Sequence, residues 1–436
     1  MACPEKLLAC CIFGLAYCST ALAGGGYFSL GDGPVARQTA GAVTAVAEDA
    51  FAGSSNPAKL TAAGDRIEVG LEFFNPHRKV KRTGASGPGE IYNFSSTSKN
   101  SLFLIPEFAW SRQLSDRLGL GITAYANGGL NSEYDQTTGI DGTNANPEQC
   151  GDKPGNFFLG CGNAGFDLSQ LVLAPTIAWK LTDQQSIGVA PLIALQRFEA
   201  FGLQALAPLS RSPEKVSNRG YDIAVGSGVR IGWYAQPLPW VSFGAAYATK
   251  ISMQKFDKYK GLFAEGTFDI PENYNIGVAL RPNDLLTLSL DIQKINYSDV
   301  KAISNSVLNS LVDPSANPLG SAHGSAFGWR RDQSNYRVGA SYQASPSLTI
   351  RAGYAYGKRP NKENIEAVSF SMLTPNPIHQ ATLGFSWETA KGNTLHVAIA
   401  HYLKSSYSGP SAILPGATET LKPYVNTLSI SWTWVL

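Results

Sequence analysis

The sequence predicts an all-β protein, a transmembrane barrel of fourteen antiparallel strands with an N-terminal hatch (plug) in its lumen. Three observations support this fold class. From Arg66 to the C-terminus, segments of about ten residues alternate apolar and polar side chains, so each strand has one face for lipid and one for water. The breaks between segments are alternately short and long, as in outer-membrane barrels. Mean hydropathy is only -0.09, and beyond the N-terminus no apolar run is long enough for a membrane-spanning helix.

Residues 1–23 are typical of a secretory signal peptide. Lys6 precedes an apolar stretch that runs from Leu7 to Tyr17, and Ala21-Leu22-Ala23 matches a small-residue cleavage site. Because the apolar stretch is too short to span a membrane as an anchor, we expect the mature protein to begin at Gly24.

Two cysteines, Cys150 and Cys161, remain in the expected mature chain, since the other four of the six lie in the signal peptide. An even pair in an exported protein indicates a disulfide. A metal site would need further ligands, and no imidazole or carboxylate cluster flanks the pair. We therefore predict a disulfide, no metal site and no cofactor.

Residues 24–65 are rich in small side chains and lack strand alternation, so we interpret them as the hatch. Residues 41–52 are compatible with a short helix, which Asn56, Pro57 and Ala58 would follow, because proline cannot continue a helix.

Residues 66–436 form the predicted barrel wall. Its short breaks carry residues that favour turns, such as Arg281-Pro282-Asn283-Asp284. The fourteen predicted strands are residues 66–74, 102–113, 118–126, 168–181, 187–203, 221–234, 240–253, 274–280, 285–297, 335–343, 348–356, 380–388, 394–403 and 424–436.

Loop lengths predict the orientation of the barrel. Connections after even-numbered strands are short and most of those after odd-numbered strands are long, which places the hatch and the C-terminus on the periplasmic side of a Gram-negative outer membrane. A soluble β-sandwich could also alternate, but it has no reason to sort its loops in this way.

Charged residues on the predicted strands should face the lumen, because a charge that faces lipid at mid-membrane costs about 2–4 kcal/mol. Three of these charges are arginines, Arg230, Arg337 and Arg351, and lumenal acids such as Glu68, Glu72 or Asp291 could pair with them.

No catalytic motif is present, and the net charge of +2 with interspersed signs gives no nucleic-acid-binding surface. His323 and Ser325 share one long loop, which leaves a lipid-acting barrel enzyme as a remote alternative. We predict that the protein is not an enzyme.

Apolar residues in the long loops suggest a surface that captures hydrophobic molecules. They are Phe157, Phe158 and Leu159, between the two cysteines, and Leu206 in the next long loop. The alternative is that these loops merely pack on each other. In the third strand Gly119, Gly121, Gly128 and Gly129 would permit a bend or bulge.

Several segments in order resemble the FadL family of outer-membrane transporters of long-chain fatty acids and other hydrophobic compounds. They are residues 45–50 (AVAEDA) followed by Asn56-Pro57-Ala58, 125–131 (YANGGLN), 271–278 (PENYNIGV), 291–299 (DIQKINYSD), 328–330 (GWR), 336–339 (YRVG) and 351–354 (RAGY). The last residue, Leu436, departs from the aromatic residue at which outer-membrane proteins usually end.

The resemblance implies a monomeric barrel with an extracellular hydrophobic groove, an inner site above the hatch and a lateral exit at a kinked third strand. The hatch roles would lie with Asn56, Pro57 and Ala58, near Phe51, and the kink between Gly119 and Gly129. The predicted function is passive uptake of long-chain fatty acids or similar molecules. A carboxylate headgroup would then need a basic partner in the lumen, for which Arg337 is the first candidate and Arg230 and Arg351 follow; the alternative is that these arginines only pair with lumenal acids. Uptake of monoaromatic or alkane hydrocarbons by the same route is the alternative. The expected partners are such a ligand, outer-membrane lipid and lipopolysaccharide.

Overall fold

The computed structural model describes residues 26–135, 150–151, 153–324, 328–360, 365, 377–389 and 392–436. The expected signal peptide and Ser325 lie outside these residues. None of the helices in the described ranges is long and apolar enough to cross a membrane.

Fourteen antiparallel strands form a closed barrel, which confirms the predicted fold class. Each strand pairs with its neighbours along the chain, and the first pairs with the last from Arg66↔Val435 to Thr83↔Thr418. The strands are β1 Arg66–Thr83, β2 Phe103–Ser115, β3 Leu118–Tyr134, β4 Ala164–Thr182, β5 Gln185–Phe201, β6 Asp222–Leu238, β7 Val241–Ala248, β8 Asn273–Asn283, β9 Leu286–Ile295, β10 Gln333–Ser345, β11 Leu348–Gly357, β12 His379–Glu388, β13 Thr394–Tyr402 and β14 Thr418–Val435.

Connections at one end of the barrel, the short-turn end, span a few residues, and those at the other, the long-loop end, are much longer. Three short strands extend the sheet at the long-loop end: Phe94–Thr97 pairs with β1, Ser252–Met253 with β6 and Tyr407–Pro410 with β14. The predicted first strand, residues 66–74, was too short. The sheet continues to Thr83 because burial still alternates after the outward side chains become polar at Asn75.

The segment from residue 26 to residue 65 lies inside the barrel and is almost wholly buried. It contains two short α-helices, α1 Pro34–Gln38 and α2 Leu60–Ala63, and two 3-10 turns, Phe51–Ser54 and Pro57–Lys59.

The helix expected over residues 41–52 was wrong: apart from the start of the 3-10 turn at Phe51, the chain there follows irregular turns. The reason is that wall carboxylates accept the N–H groups of Val43, Thr44 and Ala50, which in a helix would bond to the carbonyls four residues earlier.

The long loops form a packed layer over the barrel. They contain α3 Lys301–Ser304, α4 Val307–Val312 and the 3-10 turns Gly87–Tyr92, Gln204–Leu209, Pro213–Lys215, Asp257–Tyr259, Ala264–Gly266 and Tyr297–Asp299. Their apolar residues join the ends of the strands in one large buried cluster, which includes Tyr27, Phe28, Phe198, Phe263, Tyr297 and Trp329.

Candidate functional site

Carboxylates of the barrel wall hold the hatch through its backbone. Each of them is almost completely buried, so its charge needs donors from the hatch. Glu68 accepts a hydrogen bond from the N–H of Ala50 (2.9 Å), and Glu107 accepts one from the N–H of Gly33 (3.0 Å). Asp291 accepts two, from the N–H groups of Val43 (2.9 Å) and Thr44 (2.8 Å).

A side-chain ion pair adds to these backbone contacts. The guanidinium of Arg37 in α1 lies 2.7 Å from Glu72 and 3.4 Å from Glu107. Asp32 lies nearby, and burial raises its pKa to about 7, while the charge of Arg37 opposes this rise. The hatch is therefore held by several desolvated charges, and changing one of them should loosen it.

The Asn56-Pro57-Ala58 tripeptide seats the hatch against the wall. The Asn56 amide donates to the carbonyls of Thr44 (3.0 Å) and Trp233 (2.9 Å) and accepts from the N–H of Ala58 (3.1 Å). Two wall glycines leave room for this contact. A β-carbon on Gly232 would lie 2.0 Å from Asn56 Oδ1, and one on Gly188 would lie 2.5 Å from the Pro57 carbonyl carbon.

Phe51 begins the preceding 3-10 turn and is 1% exposed. It packs in a small cluster with Ala50 and the wall residue Ala109. Phe51 and the Asn56-Pro57-Ala58 tripeptide thus lie where the hatch contacts the barrel wall.

A small polar cavity lies between the hatch and the long-loop end. Hatch residues such as Phe28, Leu30 and Asp32 face Tyr125 of β3 and four further strands. Its volume of about 30 Å³ has room for only one or two waters. In this conformation the cavity is closed to a fatty acyl chain. The wall residues that complete its lining are Asn127, Arg230, Asn273, Asn275, Gln293 and Arg337.

The three arginines selected from the sequence differ in their partners. Arg351 is paired with Glu48 of the hatch at 2.7 Å, which supports a structural role. Arg230 and Arg337 both line the cavity. Arg230 donates to the carbonyl of Gly53 at 2.7 Å.

Arg337 donates to the carbonyl of Gly41 at 3.2 Å and to Gln293. Within the described part of the chain, neither Arg230 nor Arg337 has an ion pair.

A further buried arginine was not predicted from the sequence. Arg78 is 3% exposed and faces inward from β1, beyond the predicted end of that strand. Its guanidinium has neither a hydrogen bond nor an ion pair with any residue that the structure describes, and the buried hydroxyl of nearby Tyr134 has no described hydrogen-bond partner either. The signal that could have revealed it is the alternation of β1, which places position 78 on the same face as Glu68 and Glu72.

The third strand carries a bulge. Pairing of β3 with β4 shifts register between Ala126 and Gly128, so that Asn127 is the extra residue. On its other side, β3 pairs with β2 only up to Phe108↔Ala124. The wall between β2 and β3 therefore lacks strand pairing above this point.

The hatch fills the unpaired edge of β3. The N–H of Ser29 donates to the Asn127 carbonyl at 2.9 Å, and the N–H of Gly129 donates to the Tyr27 carbonyl at 3.0 Å. A β-carbon on Gly128 would lie 1.9 Å from the Tyr27 oxygen, so glycine is required for this approach. Gly119 and Gly121 lie in regular pairing and face Leu60 of the hatch.

The apolar loop residues predicted to capture substrate lie in the packed loop layer in this conformation. Phe157 is 0% exposed and stacks on Phe94 with ring centroids 4.3 Å apart. Phe158 and Leu206 are also buried, and Leu159 is half-buried. A role for these residues in capture stays a prediction.

A disulfide joins Cys150 and Cys161 and closes the segment that carries Phe157. Arg82 fixes the same segment from below by donating to the Phe157 carbonyl at 2.7 Å. Two independent constraints therefore hold this part of the loop layer.

The described residues contain no group of three or more His, Cys, Asp or Glu side chains that could hold a metal ion. His323 is exposed in the loop between β9 and β10, and its backbone N–H bonds to Ser321.

Solved structures with the same fold include proteins from three bacteria. The Pseudomonas putida toluene transporter TodX gives a TM-score of 0.65 at 15% identity, and a Pseudomonas aeruginosa FadL homologue gives 0.67 at 15%. The Ralstonia pickettii toluene transporter TbuX gives 0.61 at 17%. In each case 94% of this chain and 99% of the other are covered. At such identities the likeness shows the fold alone.

Among curated protein sequences, the comparison gives no match. Residues 162–409, over half of the 436-residue chain, match the family described as outer membrane protein transport protein (OMPP1/FadL/TodX). The chain therefore belongs to this family of Gram-negative outer-membrane transporters of hydrophobic compounds.

Proposed function

We propose that the protein is a passive transporter of long-chain fatty acids or similar amphiphiles. In this proposal the substrate is captured among the extracellular loops, passes to the cavity above the hatch and leaves sideways beside β3. The observation that carries the proposal is a set of buried arginines that have no ion pair with any residue in the described ranges.

Five arginines are almost fully buried among the described residues, and they divide into two groups. Arg82 and Arg351 are paired with Glu419 and Glu48, each at 2.7 Å. Among the described residues, Arg78, Arg230 and Arg337 have no ion pair, although Asp291 lies directly opposite Arg337 across the β9–β10 ladder. An unpaired buried charge is costly, so a protein keeps one chiefly where a ligand or water completes it. A fatty-acid carboxylate has the charge and the geometry to do so.

The apolar part of the substrate would bind in the aromatic cluster beneath the loops. Tyr27 lies at its centre, 5.4 Å between ring centroids from Tyr297 and 5.7 Å from Phe268. Each methylene that leaves water contributes about 0.8 kcal/mol. An acyl chain can therefore bind there if the loops open.

The exit is proposed at the unpaired edge of β3. Release of an acyl chain into the aqueous periplasm would be unfavourable, whereas release into the bilayer would not. Residues 27–29 occupy this edge through two backbone hydrogen bonds. Since the cavity holds only about 30 Å³, the segment must move before a substrate can pass.

A second candidate is the uptake of monoaromatic hydrocarbons, favoured by the likeness to the toluene transporters TodX and TbuX. Such cargo has no charge and needs no arginine. If both kinds of cargo follow the same route through the barrel, replacing Arg78 or Arg337 should reduce fatty-acid uptake and leave hydrocarbon uptake intact.

The test is uptake of labelled oleate and labelled toluene by cells that lack their own transporter of this family. We expect the wild-type gene to confer oleate uptake, and Arg78→Gln and Arg337→Gln to reduce it at least about tenfold. Arg117→Gln, an exposed turn residue, is the matched control. Equal oleate uptake with and without the gene would refute the proposal, and toluene uptake alone would establish the second candidate.

A lipid-acting enzyme is the remaining alternative. A lipase activity probe applied to the wild type and to His323→Ala would decide it. Labelling of the wild type that is lost in the variant would contradict the transporter proposal.

A further inference from the structure

A cluster of cations faces outward at the extracellular end of the first and last strands. We call it the outer basic patch and define it as Lys79 and Lys81 of β1 and Lys422 of β14. All three side chains are exposed, while the residues between them in sequence, such as Val80 and Leu421, are buried. Alternation along the strands therefore directs the lysines away from the lumen.

The patch lies just above the lipid-facing band. The outward residues of β1 are apolar up to Phe73 and polar from Asn75, and the paired residues of β14 change at the same level, from Leu428 to Asn426. Four residues at about 3.4 Å each, in a strand tilted by about 40°, place Lys79 roughly 10 Å above Asn75. The headgroup layer on each side of the hydrocarbon core is roughly 5–8 Å thick, so Lys79 lies just above it and its long side chain can reach lipid headgroups.

Within the patch, two cations oppose each other directly. Lys79 is the Cα partner of Lys422 across the β1–β14 ladder. Like charges at directly opposite positions destabilise an antiparallel pair. Lys81 adds a third charge on the same face, about 7 Å further along β1.

None of the three lysines is neutralised by a described residue. Lys79, Lys81 and Lys422 have neither an ion pair nor a side-chain hydrogen bond to any residue in the described ranges. The acidic residues of the two strands, Glu68, Glu72 and Glu419, are buried on the opposite face.

Some outward-facing charges elsewhere near the extracellular rim have partners. Arg197 pairs with Asp167 at 3.3 Å, Lys294 with Asp332 at 3.0 Å and Lys250 with Asp269 at 3.4 Å. The outer basic patch differs from these pairs and from single exposed lysines because two of its three charges lie directly opposite each other and no described residue supplies an anion to them.

Polar and aromatic groups lie between the patch and the apolar band. His77 stacks on Tyr424 with ring centroids 4.4 Å apart and bonds to the Asn75 amide oxygen at 2.7 Å. His401 bonds to Asn426 at 2.7 Å. This belt offers hydrogen bonds and a flat ring surface at the level where the sugar of a membrane glycolipid would lie.

We propose that the outer basic patch binds the phosphate groups of a phosphorylated glycolipid of the outer leaflet, the lipid A part of lipopolysaccharide. The lysines would neutralise the phosphates, the belt would contact the sugars, and the acyl chains would cover the apolar band below. Binding would remove the repulsion between Lys79 and Lys422 and so stabilise the pairing of β1 with β14, which closes the barrel. The proposal is independent of the transported substrate.

The experiment measures binding of lipid A to the purified full-length protein in detergent by native mass spectrometry. We expect the wild type to retain diphosphorylated lipid A and the triple variant Lys79→Gln/Lys81→Gln/Lys422→Gln to bind it at least about tenfold more weakly. The control variant is Lys255→Gln/Lys260→Gln/Lys358→Gln, which removes three exposed extracellular lysines elsewhere and should bind like the wild type. Heat-modifiable migration on gels verifies that each variant is folded.

Two further arms identify the recognised group. Lipid A stripped of its phosphates should bind the wild type as weakly as intact lipid A binds the triple variant. Millimolar inorganic phosphate should compete only weakly, because it lacks the sugar and acyl contacts. Equal binding by the wild type and the patch variant, or equal binding of stripped and intact lipid, would overturn the proposal, as would full displacement by free phosphate.

Discussion

The substitution Gly128→Ala tests the proposed lateral exit. A β-carbon at this position would lie 1.9 Å from the Tyr27 carbonyl oxygen and 3.1 Å from the Phe28 α-carbon, and both contacts are with backbone. No side-chain rotation can relieve them. The N-terminal segment should therefore leave the edge of β3.

The magnitude follows from the two hydrogen bonds that would be lost, Ser29 N–H to Asn127 and Gly129 N–H to Tyr27. Each backbone hydrogen bond contributes about 0.5–1.5 kcal/mol net. Together they stabilise the closed edge by about 1–3 kcal/mol, so the substitution should shift the equilibrium towards the open edge by about 5- to 150-fold.

Hydrogen exchange measures this shift directly, because the amides of Ser29 and Gly129 are the two donors. In Gly128→Ala both should exchange about 5- to 150-fold faster, and oleate uptake should increase. Gly119→Ala in the same strand is the control, since its β-carbon would approach no atom closer than 3.1 Å. Unchanged protection at Ser29 and Gly129 in Gly128→Ala would show that the N-terminal segment does not leave the edge of β3.

Three further predictions concern the hatch and the loop layer. Because burial raises the pKa of Asp32 to about 7, the folded protein binds more protons than the unfolded chain between about pH 4 and pH 7. The free energy of unfolding, measured in urea, should therefore fall as the pH rises through this window. In Asp32→Asn it should depend less on pH, and a pH profile equal to that of the wild type would contradict this. Asn56→Ala removes three hydrogen bonds and should destabilise the seating of the hatch by about 2–4 kcal/mol. Arabinose should therefore enter liposomes that contain this variant faster than liposomes that contain the control Asn283→Ala. Arg82→Ala leaves Glu419 buried and unpaired and should destabilise the protein by about 3–5 kcal/mol in urea, whereas a midpoint equal to that of the exposed control Arg219→Ala would contradict this.

The barrel could be predicted from the sequence because a period of two residues marks each strand wherever one face meets lipid. Ile67, Val69 and Leu71 alternate with Glu68 and Gly70, and burial follows the same order. The signal stopped at Phe74 because Asn75, His77 and Lys79 face headgroups or water, so both faces of β1 are polar there. The strand continues because its backbone still pairs with β14 up to Thr83.

The candidate site was less predictable because tertiary contacts define it. Nothing near Arg78 in sequence shows that it lacks a partner, whereas Arg351 is paired with Glu48, some three hundred residues earlier in the chain. The irregular path of residues 41–52 has a similar origin. Asp291, on a distant strand, accepts the N–H groups of Val43 and Thr44 and prevents a helix. The bulge at Asn127 is suggested by its glycine neighbours, but the segment that fills the edge of β3 comes from the hatch.

Recognition of a carboxylate headgroup by the buried arginines is tested by calorimetric titration of the purified protein with oleate and with oleyl alcohol, which share a chain and differ in charge. We expect the wild type to bind oleate at least about tenfold more tightly than oleyl alcohol, and Arg78→Gln/Arg337→Gln to lose this preference while it still binds the alcohol. Equal affinity of the wild type for the two ligands would show that the arginines do not recognise the carboxylate.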